Sequence, residues 1–180
     1  KNRAYQGTYN FCYCTKCNHF YHVIDEALKH NVNLETSSSF DIDLILNLYR
    51  EGKLDKNRII VHNGYKTNDY LKKILKLQQT GFQNSIIVLD SMDELDRIFA
   101  LNAEQKLKIG LRMAVNEEAQ SPYYTSRLGI SYSAILDFYQ KRIKSDDRVE
   151  LKMFHFFVDS GIKDTVYYWG EFQKALNIYI

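Results

Sequence analysis

The chain has almost no excess of charge: 24 lysines and arginines face 22 aspartates and glutamates, for a net +2. No basic stripe stands out, which removes the electrostatic footprint of a nucleic-acid binder. No apolar segment approaches the roughly 18 residues of a membrane span, and no signal peptide opens the chain, so no membrane partner is expected. Cysteine is scarce, three in 180 residues, and the three crowd together at Cys12, Cys14 and Cys17. Alternate residues of one strand point to opposite faces, so an odd, crowded set is a poor disulfide framework; a reducing cytoplasm is the expected compartment. Neither G-x-G-x-x-G nor G-x-x-x-x-G-K-S/T occurs, so nucleotide binding at a glycine-rich loop has no support. No linker, low-complexity stretch or internal repeat interrupts the chain.

What is present is a strand–turn–helix rhythm. Apolar residues make up 45% and charged residues 26%, the composition of a soluble globular domain with a real core. Apolar runs predict buried strands near 10–16, 32–37, 58–63, 85–90, 106–114 and 149–158. Segments of helical spacing lie between them, at 18–30, 40–49 and 70–77, and a last one runs over 167–180. Ser91-Met92-Asp93-Glu94 has the capping-box pattern, and Ser39 and Thr67 stand where caps belong. Near-continuous apolar strands alternating with helices predict an α/β fold on a parallel sheet. Six βα units suit either an open doubly wound sheet or a truncated (β/α)8 barrel, and periodicity does not choose. The chain opens on Lys1 and stops at Ile180 inside a helical pattern, both expected of a piece of a longer protein.

Polar residues mark the C-terminal ends of the strands: Lys16, Glu35, Asn63, Asp90, Arg112, and Asp159 with Ser160. In a parallel sheet they share one rim, where α/β folds bind ligands; the plain alternative is that charges mark where buried strands surface. Lys16 is the most informative, because a lysine at a strand end can form an imine with an aldehyde cofactor. Cys14-Thr15-Lys16-Cys17 is also a C-x-x-C, which raises a thiol–disulfide centre or half a zinc site. No second C-x-x-C exists, and His19, His22, His30, His62 and His155 lack metal-ligand spacing, so no metal site is expected. Asp159-Ser160-Gly161 reads as a turn or as a small phosphate nest. Tyr167-Tyr168-Trp169 reads as helix-to-sheet packing.

These segments together resemble a known family. Tyr13-Cys14-Thr15-Lys16-Cys17-Asn18 resembles the Schiff-base lysine motif of the alanine-racemase-fold, pyridoxal-phosphate-dependent decarboxylases. Leu34-Glu35-Thr36-Ser37-Ser38 is similar to their second-strand segment, and Leu111-Arg112 to their fifth-strand arginine. Asn63-Gly64-Tyr65-Lys66 resembles the third-strand motif of the biosynthetic arginine decarboxylases. Ser126-Arg127-Leu128-Gly129 stands where the family has a Ser-Lys-Phe-Gly-like turn. Phe154-His155-Phe156-Phe157-Val158-Asp159-Ser160-Gly161 is similar to the sixth-strand His-x-His-x-Gly-Ser.

The resemblance implies an alanine-racemase-type (β/α)8 barrel, of which residues 1–180 hold about six units, with the last barrel units and a C-terminal β-domain lying elsewhere. It implies decarboxylation of L-arginine to agmatine and CO2 for polyamine synthesis, with the related ornithine, lysine and diaminopimelate decarboxylases as the nearest alternatives. Lys16 would carry pyridoxal 5'-phosphate; Glu35 would position cofactor or substrate; Arg112 would approach the cofactor's ring oxygen. Ser160 would contact the phosphate and His155 would support the site from behind. The family's ring-stacking histidine falls at Phe157, which can stack but cannot carry charge. Asp159 replaces a glycine beside the phosphate. These two departures fit a non-catalytic relative that keeps the barrel as a binding or regulatory partner. A small amino acid substrate, a homo-oligomer and Mg2+ are further expectations of the family, and the six units alone are expected to be inactive.

Overall fold

Each of the six apolar runs becomes a strand in the computed structural model, which describes residues 6–101, 106–115, 128–158 and 165–180. The strands are β1 (Cys12–Cys14), β2 (Asn33–Thr36), β3 (Ile60–His62), β4 (Ser85–Leu89), β5 (Leu107–Met113) and β6 (Val149–Phe156). The helices between and after them are α1 (Tyr21–Leu28), α2 (Ser39–Arg50), α3 (Asn68–Gln79), α4 (Asp93–Ala100), α5 (Tyr132–Phe138) and α6 (Thr165–Tyr179). The predicted runs were each longer than the strands they contain, because apolar residues continue into the turns where pairing has ended.

The sheet bears on what periodicity left open. All neighbours are parallel and the order is β1-β2-β3-β4-β5-β6. A doubly wound sheet reverses order at a switch point and carries helices on both faces. Here one set of alternate strand residues, including Leu34, Ile60, Ile87, Leu89, Ile109 and Leu111, joins Ile24, Ile42, Ile45, Ile74, Leu95 and Ile135 of the helices in a single buried cluster. Helices on one face and strands in chain order are what six successive units of a (β/α)8 wall require. The opposite residues, Glu35, Val61, Val88, Gly110 and Arg112, are turned to the other face by the two-residue alternation of a strand.

Helix starts follow local chemistry. Thr67 accepts the Tyr70 N–H at 3.2 Å and caps α3. At α2 the cap is Ser38, one residue before the predicted Ser39, and Asp41 accepts the N–H groups of Ser37 at 2.8 Å and Ser38 at 3.0 Å. Ser91 does not cap α4; that helix starts after Met92, and Glu94 is used elsewhere. Phe156 packs against Tyr168 and Phe172 of α6, with ring centroids 5.8 and 6.1 Å apart, so that helix rests on β6. Among the described residues, no helix is long and apolar enough to cross a membrane.

β6 contains an irregularity that matters for the site. Leu151 pairs with Ile109 but Met153 pairs with Gly110, leaving Lys152 as an extra residue, a β-bulge. Val149 and Leu151 therefore share the helix-facing register of Leu107 and Ile109, whereas His155 is in register with Arg112. Strict alternation along the sequence would have put His155 on the same face as Val149.

Candidate functional site

The rim at the C-terminal strand ends begins at β1. Thr15 is fully buried and its hydroxyl donates to the Glu35 carbonyl at 3.0 Å, pinning a single 3-10 turn, Thr15–Cys17, to β2. Lys16 follows that anchor with its side chain exposed. It borders an open groove of about 710 Å³ whose other walls include His19, Ser37, Phe40, Asp41 and Tyr65. His19 lies 3.2 Å from the buried Asp41 carboxylate.

The face of the sheet away from the helices carries a polar group from each of several strands. The Asn63 amide donates to the Glu35 carboxylate at 3.2 Å and lies 3.3 Å from His155 Nε2, while its own carbonyl oxygen accepts the Gly64 N–H at 2.9 Å. Both amide hydrogens are thereby used, and His155 Nε2 must accept. The imidazole proton then sits on Nδ1, which is buried without a partner among the described residues. Burial, and after it the Arg112 and Lys66 charges, push the His155 pKa down from 6.5 to about 4, so the ring is neutral at physiological pH.

Arg112 reaches the same face from β5. Its guanidinium lies 3.5 Å from the Asp90 carboxylate and 5.6 Å from the centroid of the Phe157 ring. Asp90 also receives Lys66, whose ammonium is fully buried and lies 3.5 Å from Asp90, 3.3 Å from Glu94 and 2.8 Å from the Gly64 carbonyl. Glu94 accepts the backbone N–H of Asp90 at 2.9 Å, and burial raises its pKa against the pull of Lys66. Two cations and two carboxylates thus form one buried chain, Arg112–Asp90–Lys66–Glu94.

The sequence-predicted site is brought together in part. Glu35, Asn63 and His155 form one hydrogen-bonded set; Arg112, Asp90 and Phe157 form another; Lys16 borders a groove lined by other residues, so it is joined to neither set. Ser160, with Asp159 and Gly161, lies outside the described residues, as do Ser126 and Arg127. Lys66 and Glu94 were missed as site residues. Lys66 sits in the quoted Asn63-Gly64-Tyr65-Lys66, but nothing in that string announces burial; Glu94 was taken for a capping residue and instead turns inward. Within the C-x-x-C, burial and after it the Glu35 charge raise the pKa of Cys14, the opposite of the lowered value that a reactive thiol at that position needs.

A second buried histidine titrates with the fold. His62 Nδ1 is 2.7 Å from the Thr36 hydroxyl, which is 2.6 Å from the Tyr70 hydroxyl, and burial drives the His62 pKa from 6.5 down to about 3. Both folded values lie below the ordinary one, so the unfolded chain takes up protons first on acidification. The stability due to these neutral rings is complete above the ordinary value of 6.5 and is lost as pH falls towards about 4 for His155 and about 3 for His62. Each contributes a slope of about 1.4 kcal/mol per pH unit in that window. His62→Gln, which keeps a polar partner for Thr36, is expected to flatten the decline of unfolding free energy between about pH 6.5 and pH 5 by that amount. Urea unfolding at several pH values measures it, and an unchanged slope would refute a neutral buried His62.

Comparison with known proteins gives a consistent set. Residues 2–180 match the family model described as the pyridoxal binding domain of pyridoxal-dependent decarboxylases. A biosynthetic arginine decarboxylase of Prochlorococcus marinus is 30% identical over 192 residues, covering 99% of this chain and 28% of that protein. Its counterpart from Nostoc sp. is 26% identical over 188 residues, covering 98% and 27%. The chain therefore spans less than a third of the length of these curated relatives. Among solved structures, diaminopimelate decarboxylase from Helicobacter pylori complexed with L-lysine superposes with a TM-score of 0.78 at 22% identity, over 99% of this chain and 45% of that one. The Paramecium bursaria Chlorella virus arginine decarboxylase bound to agmatine gives 0.67 at 21%, over 93% and 42%. At such identities the structural likeness establishes the fold alone.

Proposed function

This chain belongs to the pyridoxal-dependent decarboxylases, whose pyridoxal binding domain its residues 2–180 match, and from that membership we propose that the whole protein converts L-arginine to agmatine and CO2. The observation that carries the reading is an exposed lysine, Lys16, just after the C-terminal end of β1 in a parallel sheet whose helix-free face gathers Arg112, His155 and Glu35. The relatives named biosynthetic arginine decarboxylases favour arginine among the basic amino acids. The reaction would supply an amine to polyamine synthesis.

The residues fit pyridoxal 5'-phosphate. An aldehyde needs a primary amine, supplied by Lys16; an anionic oxygen needs a cation, supplied by Arg112. The unpartnered Nδ1–H of His155 is a buried donor. When bound, the cofactor supplies an electron sink for the pair released as the carboxylate leaves as CO2. In this reading the Lys16 amine would hold the cofactor at its aldehyde carbon. Glu35, tied to Asn63, positions the bound groups. Arg112 stabilises negative charge, with Phe157 lying under its guanidinium, and His155 keeps the floor neutral. Ser160 is assigned to the phosphate. The remaining barrel units and a β-domain complete the site in the same polypeptide, and a second copy of the protein contributes to it. A cytoplasmic location and a Mg2+ requirement belong to the same proposal.

The test is borohydride reduction of the full-length protein, followed by peptide mass mapping and an arginine assay. The expected result is a reduced pyridoxyl group on Lys16 and stoichiometric agmatine. An adduct with turnover of ornithine, lysine or diaminopimelate alone would move the assignment to a related decarboxylase. No adduct would favour a non-catalytic relative, which the phenylalanine at position 157 already fits.

A further inference from the structure

Arg112 does not stand free on its strand. One nitrogen of its guanidinium lies 3.5 Å from Asp90 Oδ1, and Phe157 lies under the cation at 5.6 Å. The other Asp90 oxygen faces the Lys66 ammonium at 3.5 Å. The backbone of Asp90 is fixed from both sides: its N–H donates to Glu94 at 2.9 Å and its carbonyl accepts the Gly129 N–H at 2.7 Å. Lys66 is fully buried, Glu94 and Asp90 nearly so, with 1% and 5% of their surfaces exposed. With the Asp90 backbone tied at two points and Oδ2 facing Lys66, Oδ1 is the oxygen that faces Arg112.

We propose that Asp90 is a positioning residue for Arg112, locked by Lys66 and Glu94 so that its second oxygen fixes the guanidinium on the cofactor face of the sheet. Lys66 and Glu94 have no contact with Arg112; they act on it through Asp90. The arrangement also balances charge, two cations against two carboxylates, in a place where an unpaired charge is costly. The inference rests on the reading of Arg112 as a cofactor-facing group and adds three residues to it.

The experiment separates positioning from mere structural support. Pyridoxal 5'-phosphate affinity is measured by absorbance titration of the full-length apoprotein, alongside its melting temperature, for wild type, Asp90→Asn, and Asp90→Asn with Lys66→Met. Asp90→Asn leaves the core one positive charge in excess and is expected to lower both melting temperature and affinity, the latter about tenfold. Lys66→Met removes that excess, and Glu94, left without its cation and pushed up in pKa by burial, becomes neutral by taking up a proton, so the double variant is expected to recover part of the melting temperature but none of the affinity, because Arg112 still lacks its carboxylate. The double variant also keeps the test alive if the single variant is unfolded. Adding Asp90→Asn to an Arg112→Met protein is expected to change affinity no further. Affinity that returns together with melting temperature, or an Asp90→Asn effect that persists without Arg112, would overturn the proposal while leaving the proposed function intact. A wild-type protein that takes up no cofactor and gives no adduct at Lys16 would instead overturn the function, and this proposal with it.

Discussion

Replacing Lys16 by alanine in the full-length protein is expected to abolish agmatine formation, by roughly a thousandfold or more, and to remove the borohydride-trapped adduct. The size of the effect follows from the absence of a substitute. The nearby rim lysine, Lys66, is fully buried and committed to Asp90, Glu94 and the Gly64 carbonyl, so its amine cannot take over. Lys16 is exposed, and its truncation leaves no cavity in the core, so stability should stay within about 0.5 kcal/mol of the parent. The anchor of its turn, the Thr15 hydroxyl on the Glu35 carbonyl, is untouched. Parallel assays of activity and melting therefore isolate the amine. A Lys16→Ala protein that still decarboxylates arginine would sink the assignment.

The second large effect is expected at Gly129, and there it is on stability. Gly129 has φ +107°, a conformation that side chains oppose, and a Cβ placed on it would lie 2.6 Å from the Ala114 nitrogen and 2.9 Å from the Met113 carbonyl carbon. These are main-chain atoms of the β5 end, with no flexible side chain to yield. The same short segment ties the site together: Gly129 N–H donates to Asp90, Ile130 N–H donates to the Arg112 carbonyl at 2.7 Å, and Ala114 N–H donates to Ile130 at 2.9 Å. Gly129→Ala must break this clamp or distort β5, and is expected to cost about 3 kcal/mol or more. Urea denaturation of wild type and variant measures it. A loss under about 1 kcal/mol would mean that the segment can detach from β5 without consequence for the fold.

Much of this arrangement was legible in the sequence, for reasons that can be named. Buried parallel strands are apolar on both sides, so Ile60-Val61-His62 and Ser85-Ile86-Ile87-Val88-Leu89 announce themselves, and the residues that follow them fall on one rim by topology. Lys16, Asn63 and Arg112 were found that way. What stayed hidden depends on three-dimensional closure. Lys66 reads as an ordinary turn lysine until Asp90 and Glu94 arrive from the next unit to neutralise it. Glu94 satisfies the capping-box spacing, and only the placement of Asp90 shows why its carboxylate turns inward. The position of Ser38, rather than Ser39, as the cap of α2 is a one-residue matter that propensity cannot fix. The face on which His155 falls was the least legible, because an unbroken alternation along β6 points it to the wrong side.

The bulge in β6 gives the wall a local tolerance. Leu151 already pairs with Ile109 and Met153 with Gly110, so Lys152 is a spare residue in the ladder. Losing it would straighten the strand while every downstream pair, Phe154 with Leu111 and His155 with Arg112, kept both partner and face. The same one-residue loss in the middle of β5 has no slack to absorb it and would rotate Arg112 to the helix side. Length variation among relatives of this chain is therefore expected to collect at position 152 and to avoid β5. The strand that presents His155 can lose a residue there without disturbing the groups it aims.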